Sequence, residues 1–265
     1  MILIAASEKD PAGVNIASCL REDFDFEKTG RGSYAYEGAD AELVITPNRI
    51  INEDYFENRY PGTEAILFIT RHVSKEGVSS ITAHTPGNFN DAQYGGREKT
   101  LCISNPAAQK LAICTMERER EKNDLDFQVT LEATHHGPLT AVPTTFLEIG
   151  SSEKQWKNED AGHAVASAAI AALDYGTITC KKAIGVGGGH YPEKLTRLMI
   201  ETDWAVGHII PRYAFPLDED IIRQAVEKNN GGTTAIFDWK GTPARSQYKS
   251  LFESFGLEIL KTKDF

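Results

Sequence analysis

The sequence predicts an α/β protein: a single domain built on a mixed, mostly parallel central sheet flanked by helices. Two observations carry the prediction. Short β-branched and aromatic runs alternate with helical patterns along the whole chain, giving about eight or nine strands and about six helices, and that alternation calls for a parallel or mixed sheet with helices on both faces. No linker-like stretch and no internal repeat divides the 265 residues, so 1–265 is expected to form one domain with a loop excursion around 87–99.

The opening run Ile2 to Ala6 reads as a buried first strand. Asp10 can then cap a helix whose first position is Pro11 and which continues to about Leu20. A turn-rich segment, Thr29 to Gly38, precedes a strand at Glu42 to Thr46. Ala65 to Thr70 (AILFIT) is a near-continuous apolar run of the kind buried on both faces. Arg71, His72 and Ser74 follow at its carboxyl end. Ser80 to Thr85 makes a short strand ending at His84, and Asn90 to Lys99 is polar, contains Gly95-Gly96, and reads as a mobile loop.

Asn105-Pro106 starts the longest helix, which runs into the mixed-sign stretch Glu117 to Glu121, a solvated helix face rather than a binding site. The alanine-rich segment Ala161 to Leu173 has high helix propensity and side chains small enough to pack closely on a sheet. Beyond it come a strand (Lys182 to Val186), a helix (Pro192 to Ile200), a strand (Ala205 to Ile210), a helix (Asp218 to Lys228), a strand (Thr233 to Asp238), a helix (Pro243 to Phe255) and a last strand (Leu257 to Leu260).

Composition narrows the class. Hydrophobic residues make up 41% and charged residues 25%, ordinary values for a globular protein with a sizeable core. No run approaches the roughly 20 apolar residues that span a bilayer, and MILIAASEKD lacks the basic flank of a signal peptide. Four scattered cysteines form no CxxC pair, so a thiolate zinc site is excluded and reduced thiols in the cytoplasm are expected. The net charge of −10 argues against indiscriminate attraction to nucleic acid, which depends on Lys and Arg neutralising phosphates. A polyanionic substrate would need a local basic patch.

Chemistry-bearing residues concentrate between Leu131 and Ser152. One apolar-alternating run (Phe127, Val129, Leu131) delivers Glu132, Thr134, His135 and His136 to a Gly137-Pro138 break; a second, Thr145 to Ile149, delivers Glu148. Strand ends are where α/β proteins place their sites. Adjacent histidines on a strand point to opposite faces, but a turn at the break can bring both rings to one cleft. Five of the seven histidines (His72, His84, His135, His136, His190) fall at strand ends or beside Gly or Pro. With Glu132, Glu148 and Asp10 they offer nitrogen and oxygen ligands suited to zinc. The spacing matches no compact zinc motif, and Glu132 and Glu148 read equally as buried acids that anchor loop amides. Gly185-Val186-Gly187-Gly188-Gly189-His190 lies between a strand and a helix, so its amides could approach a phosphate or an oxyanion, or simply make a tight turn. It is neither a P-loop nor a dinucleotide-binding turn.

Three segments, Glu132-Ala-Thr-His-His-Gly-Pro138, Phe146-Leu-Glu-Ile-Gly-Ser151 and Gly185-Val-Gly-Gly-Gly-His-Tyr191, closely resemble the signature segments of the archaeal and plant-type D-aminoacyl-tRNA deacylases. Ser7 to Gly13, Arg71-His72 and Thr82 to Asn88 are similar to that family as well, so the likeness spans most of the chain. It implies a phosphorylase/peptidyl-tRNA hydrolase-like fold and hydrolysis of the ester joining a D-amino acid to tRNA, with Zn2+ as cofactor, in a monomer acting in the cytoplasm. For that reaction the sequence offers His135, His136, Glu132 and Glu148 as catalytic residues. His135, His136 and Glu148 are the expected metal ligands, and Arg71, His84, Gly187, Gly188, Gly189 and His190 the expected substrate contacts. Arg71 to Lys75, Arg97 and Lys99 would meet the tRNA backbone, and the Gly137-Pro138 break would exclude the wrong enantiomer. Another metal-dependent α/β hydrolase, a metallopeptidase or nucleoside phosphorylase-like enzyme, would suit the same residues; a non-catalytic tRNA-binding module fits an acidic chain poorly.

Overall fold

The computed structural model describes every residue except positions 31 and 76. Its larger sheet has nine strands in the order Gln128–Leu131, Ser80–His84, Pro143–Gly150, Ala65–Arg71, Ile2–Ser7, Ala41–Thr46, Tyr34–Tyr36 and Phe26–Lys28, with Ile103–Ser104 pairing beside the start of Pro143–Gly150. The central four run parallel, whereas Ser80–His84 lies antiparallel to Pro143–Gly150. A second sheet is wholly parallel, in the order Trp204–Ile210, Lys181–Val186, Thr234–Phe237, Glu258–Lys261. Gly87–Asn88 and Thr100–Leu101 form a separate two-stranded ribbon. The expected α/β class and mixed, mostly parallel central sheet are therefore present.

Local signals act as anticipated where they are strong. The Asp10 carboxylate accepts hydrogen bonds from the Ala12 and Gly13 amides at 3.0 Å each, and Pro11 opens the helix Pro11–Asp23. Asn105 caps Pro106–Lys122 in the same way. These two helices and the alanine-rich Glu159–Leu173 pack their small faces on Ile4, Leu67, Ile69, Leu147 and Ile149, covering one face of the larger sheet.

The other face departs from the expectation of helices on both sides. Leu3, Ile66, Phe68 and Phe146 there pack under Ile50 and Phe56, which belong to short 3₁₀ turns at Ile50–Asn52 and Phe56–Arg59. Further along the same face the side chains turn polar: Thr70, Thr82, His84 and Glu148 are all buried. An amphipathic helix laid over them would bury unpaired polar groups, so irregular backbone roofs this end of the sheet. Only the smaller sheet carries helices on both faces, with Glu193–Glu201 on one side and Glu219–Glu227 and Arg245–Ser254 on the other.

The described residues contain fifteen strands rather than eight or nine. Those missed are two or three residues long, too short for periodicity to register. Within the turn-rich Thr29 to Gly38, Tyr34–Tyr36 pairs antiparallel with both Phe26–Lys28 and Ala41–Thr46; position 31 lies outside the described residues.

Candidate active site

The segment after Gln128–Leu131 stitches the two sheets together. The Glu132 amide donates to Ala83 O at 3.0 Å, the Ala133 amide to His190 O at 2.8 Å and the Thr134 amide to Ile209 O at 3.0 Å. Thr134 Oγ1 also accepts from the Ile209 amide at 3.1 Å. His190, at the end of the glycine loop of the smaller sheet, is thereby brought against side chains of the larger one. At His136 the backbone turns through the left-handed region, with φ 43°, and the His135 and His136 rings meet with centroids 4.2 Å apart. The turn at the break does bring both rings to one cleft.

That cleft is a cavity of about 540 Å³ lined by Thr70, Arg71, His72, His135, His136, Glu148 and His190, with Ser7, Lys9, Asp10, Arg49 and Lys75 nearer its mouth. Glu132 sits fully buried beneath it. Glu132 Oε2 lies 2.8 Å from His190 Nε2, 3.1 Å from His72 Nδ1 and 3.6 Å from His135 Nε2. No ring N–H is aligned on it, so both Glu132 oxygens lack a hydrogen-bond donor. Glu148 Oε2 is 3.5 Å from His72 Nδ1, and Thr70 donates a hydroxyl hydrogen bond to Glu148 Oε1. His84 is fully buried, stacked on Phe146 with centroids 5.0 Å apart, and neither of its ring nitrogens has a partner.

The outer histidines are oriented by backbone carbonyls. His135 Nδ1–H donates to Ala133 O at 2.8 Å and His136 Nδ1–H to Gly137 O at 2.6 Å, which leaves each Nε2 with a free lone pair. Among the described residues three overlapping sets have ligand atoms close enough to share an ion: His72, Glu132, His135 and His190; His84, His135 and His136; and His84, Glu132 and Glu148. Buried polar atoms without donors, ringed by imidazole nitrogens, fit a cation such as zinc. The expected ligands His135, His136 and Glu148 do not fall in a single set.

Burial and charge divide the protonation states. Burial pushes the His135 and His84 imidazoles well below their usual range, and both are neutral. Burial also opposes charge on Glu132, yet the His190 and His72 rings close against it hold its carboxyl well below the ordinary value. Glu148 is raised, by burial first and then by the charge of Glu132. Burial disfavours the charged form of His72 as well, but the Glu132 and Glu148 carboxylates beside its Nδ1 outweigh it and raise His72 to about 10. The cavity floor thus demands a positive charge between two carboxylates, supplied by a proton on His72 or by a metal cation in its stead.

Other residues singled out in the sequence lie where their contacts give them different surroundings. The Gly187 and Gly188 amides donate to Ile210 O at 2.8 Å and to Gly241 O at 3.2 Å. With Gly189 they line a separate cleft of about 150 Å³ beside Lys194 and Asp238. Gly137 and Pro138 are buried off the cavity wall, and a Cβ at Gly137 would come within 2.2 Å of the Gly96 nitrogen. Arg71 lines the cavity with its guanidinium over Trp156, 5.1 Å from the ring centroid. Arg97 lies over Tyr55 at 5.8 Å, and Lys99 pairs with Asp218 at 2.6 Å.

His72 belongs in the site more firmly than its sequence position implied. It was visible as one of the strand-end histidines, but nothing local shows that its Nδ1 faces two acids or that its Nε2 meets the Tyr191 hydroxyl at 2.6 Å. Arg49 carries no motif, and Lys9, though within the family-like Ser7 to Gly13 segment, has no role legible from it.

The profile of the D-aminoacyl-tRNA deacylase family matches residues 60–260. The D-aminoacyl-tRNA deacylase of Pyrococcus abyssi is 38% identical over 98% of this chain and 100% of its own length. That of Methanosarcina mazei is 41% identical over 99% of this chain and 93% of its own. Among solved structures, a conserved protein of unknown function superposes with a TM-score of 0.92 at 32% identity, covering 100% of this chain and 96% of that one.

Proposed function

The chain belongs to the D-aminoacyl-tRNA deacylase family, and we propose that it hydrolyses the ester joining a D-amino acid to tRNA, releasing both, as a chiral proofreading step of translation. The observation that best supports a hydrolytic site is Glu132: a fully buried carboxylate with no aligned donor, faced by the nitrogens of His72, His135 and His190. Burying such a charge costs several kcal/mol unless a cation faces it, and here a proton on His72 or a bound metal ion is what can face it.

We assign His72, Glu132, His135 and His190 as the group that would hold zinc, with His84 and His136 completing the ring of donors. When bound there, the ion would lower the pKa of the attacking water and polarise the ester carbonyl. Glu148 is the group suited to take the proton from that water, because burial and the neighbouring Glu132 charge make it the stronger base of the two acids. Thr70 fixes Glu148 through its hydroxyl, and the carbonyls of Ala133 and Gly137 fix the tautomers of His135 and His136. Arg71, Arg49, Lys9 and Lys75 at the mouth suit the tRNA backbone. The same reading takes the protein to act as a single-domain monomer in the cytoplasm; its four cysteines are unpaired, and no helix among the described residues is long and apolar enough to cross a membrane.

Turnover of matched D- and L-aminoacyl-tRNA, with metal content measured on the same preparation and again after chelation, tests the proposal. Preferential hydrolysis of the D substrate, lost with zinc and restored by it, is the expected result. Equal turnover of both enantiomers would refute chiral proofreading, and full activity after complete metal removal would refute the zinc assignment.

A further inference from the structure

Large hydrophobic side chains are seldom left in water without reason, and here they gather. Among the described residues six are exposed, and two of these, Val73 (66%) and Tyr94 (66%), line the active-site cavity, while a third, Tyr213 (57%), touches His190 through its hydroxyl at 3.1 Å. Tyr94 stands on a fixed base. Its carbonyl accepts the Gly137 amide at 3.0 Å, tying it to the loop that bears His135 and His136. Gly95 and Gly96 adopt φ of 80° and 72°, and a Cβ on Gly95 would collide with Ile51 O. The Asn88 side chain donates to Gly95 O at 2.9 Å and to Arg97 O at 3.2 Å. The segment read from sequence as a mobile loop is pinned at each of these points, yet its aromatic ring is left in solvent.

The charge of the mouth is equally selective. In a chain of net charge −10, four cations (Lys9, Arg49, Arg71, Lys75) line this cavity against two acids. Of those acids, Asp10 is occupied in capping its helix and in accepting the Arg71 amide at 3.1 Å, and Glu148 lies on the floor. An anchored aromatic face beside clustered cations, opening onto a hydrolytic floor, is the arrangement that receives single-stranded nucleic acid, since any base stacks on a ring while cations follow the phosphates.

We propose that Tyr94 is the stacking platform for the terminal base of the substrate's single-stranded 3′ end, with Arg49 and Lys75 taking its phosphates. The inference rests on the deacylase reading and adds the division of labour: the base is held by an aromatic face, the backbone by charge, and the ester is thereby lowered toward Glu132 and Glu148. Tyr94 is a binding residue for the base and takes no part in proton transfer.

A short RNA ending in CCA, with 2-aminopurine replacing the terminal adenine, reports stacking directly by fluorescence quenching and needs no turnover. Quenching should be seen with the wild-type protein and retained in Tyr94→Phe. In Tyr94→Ala it should be lost, and Kd should rise about tenfold or more, the effect expected of one missing base–aromatic stack. Arg49→Ala with Lys75→Ala should instead flatten the salt dependence of binding while leaving quenching of the bound probe intact. Unchanged quenching and Kd in Tyr94→Ala overturns the proposal, whatever the activity. Normal quenching by a protein that hydrolyses no D-aminoacyl-tRNA would leave the platform standing and sink the deacylase reading. Tyr94 is exposed, so its variants should melt like the wild type, which a thermal scan confirms.

Discussion

Two fully buried histidines, His84 and His208, face opposite circumstances. His208 has both ring nitrogens and its amide engaged: Nε2–H donates to Cys102 O at 3.1 Å, Nδ1 accepts from the Thr134 hydroxyl at 3.3 Å, and the backbone amide donates to Asn229 Oδ1 at 3.0 Å. It is a knot tying the smaller sheet to the loop after Leu131. His84 lies at equal depth with both ring nitrogens unpaired, next to Glu132, whose two oxygens also lack donors. Buried polar groups that are satisfied stabilise a fold, whereas unsatisfied ones cost stability and persist where a ligand or a reaction uses them. Under the function proposed above, the same residue type is structural in one place and serves the site in the other, and the hydrogen-bond inventory separates the two.

The sharpest way to break this comparison is Glu132→Gln. Removing the charge while keeping the shape should cut turnover by about 10²–10⁴, the usual range for a lost proton-transfer or metal-positioning group, and should lower zinc content. The melting temperature should change little, because His72 keeps Glu148 as a partner once the Glu132 charge is gone. Wild-type turnover in this variant would show that the cluster is not the active site.

A smaller effect of opposite character is expected from the paired histidines. His208→Leu should destabilise by about 2–4 kcal/mol, since Cys102 O would lose the His208 donor and the Thr134 hydroxyl proton its acceptor, both in the buried interior. His84→Leu strands no partner, so it should melt close to the wild type while losing deacylation. Urea titration beside turnover distinguishes the two; equal destabilisation of both variants would erase the contrast.

Near neutral pH the smallest effect is on pH dependence, and it grows only on acidification. Burial lowers His208 to about 3, so the folded chain keeps it neutral where the unfolded chain, titrating near 6.5, takes up a proton. The stability linked to it is whole above about pH 6.5 and declines as pH falls toward 3, by up to about 1.4 kcal/mol per unit. Stability against pH measured for wild type and His208→Gln should therefore converge on acidification. Parallel curves between pH 6.5 and 4 would mean that His208 is not held neutral.

How much of this was legible beforehand follows from how local each signal is. The Asp10-Pro11 cap, the buried AILFIT strand and the alanine-rich helix are written in windows of a few residues, because capping, propensity and periodicity act between near neighbours. The break after His136 was readable for the same reason. The ligand sets were not. His72 follows one strand, Glu132 another, and His190 belongs to a different sheet, brought in by the bonds of Ala133 to His190 O and Thr134 to Ile209 O. The four short strands of the hairpin and ribbon lack the length for a pattern, and the α-helices' absence from one face of the larger sheet depends on Thr70, Thr82, His84 and Glu148 pointing the same way.

The sequence by itself determined the α/β class, the elements and their caps, the family and the set of acids and histidines near which chemistry would occur. Tertiary structure alone decided which of those side chains meet, that His72 stands between Glu132 and Glu148 while the Gly187 and Gly188 amides are spent on Ile210 and Gly241, and which acid holds its proton more tightly. The reason is physical: caps and propensities are properties of adjacent residues, whereas ligand geometry and pKa depend on burial and on partners distant in sequence, which exist only once the two sheets have docked.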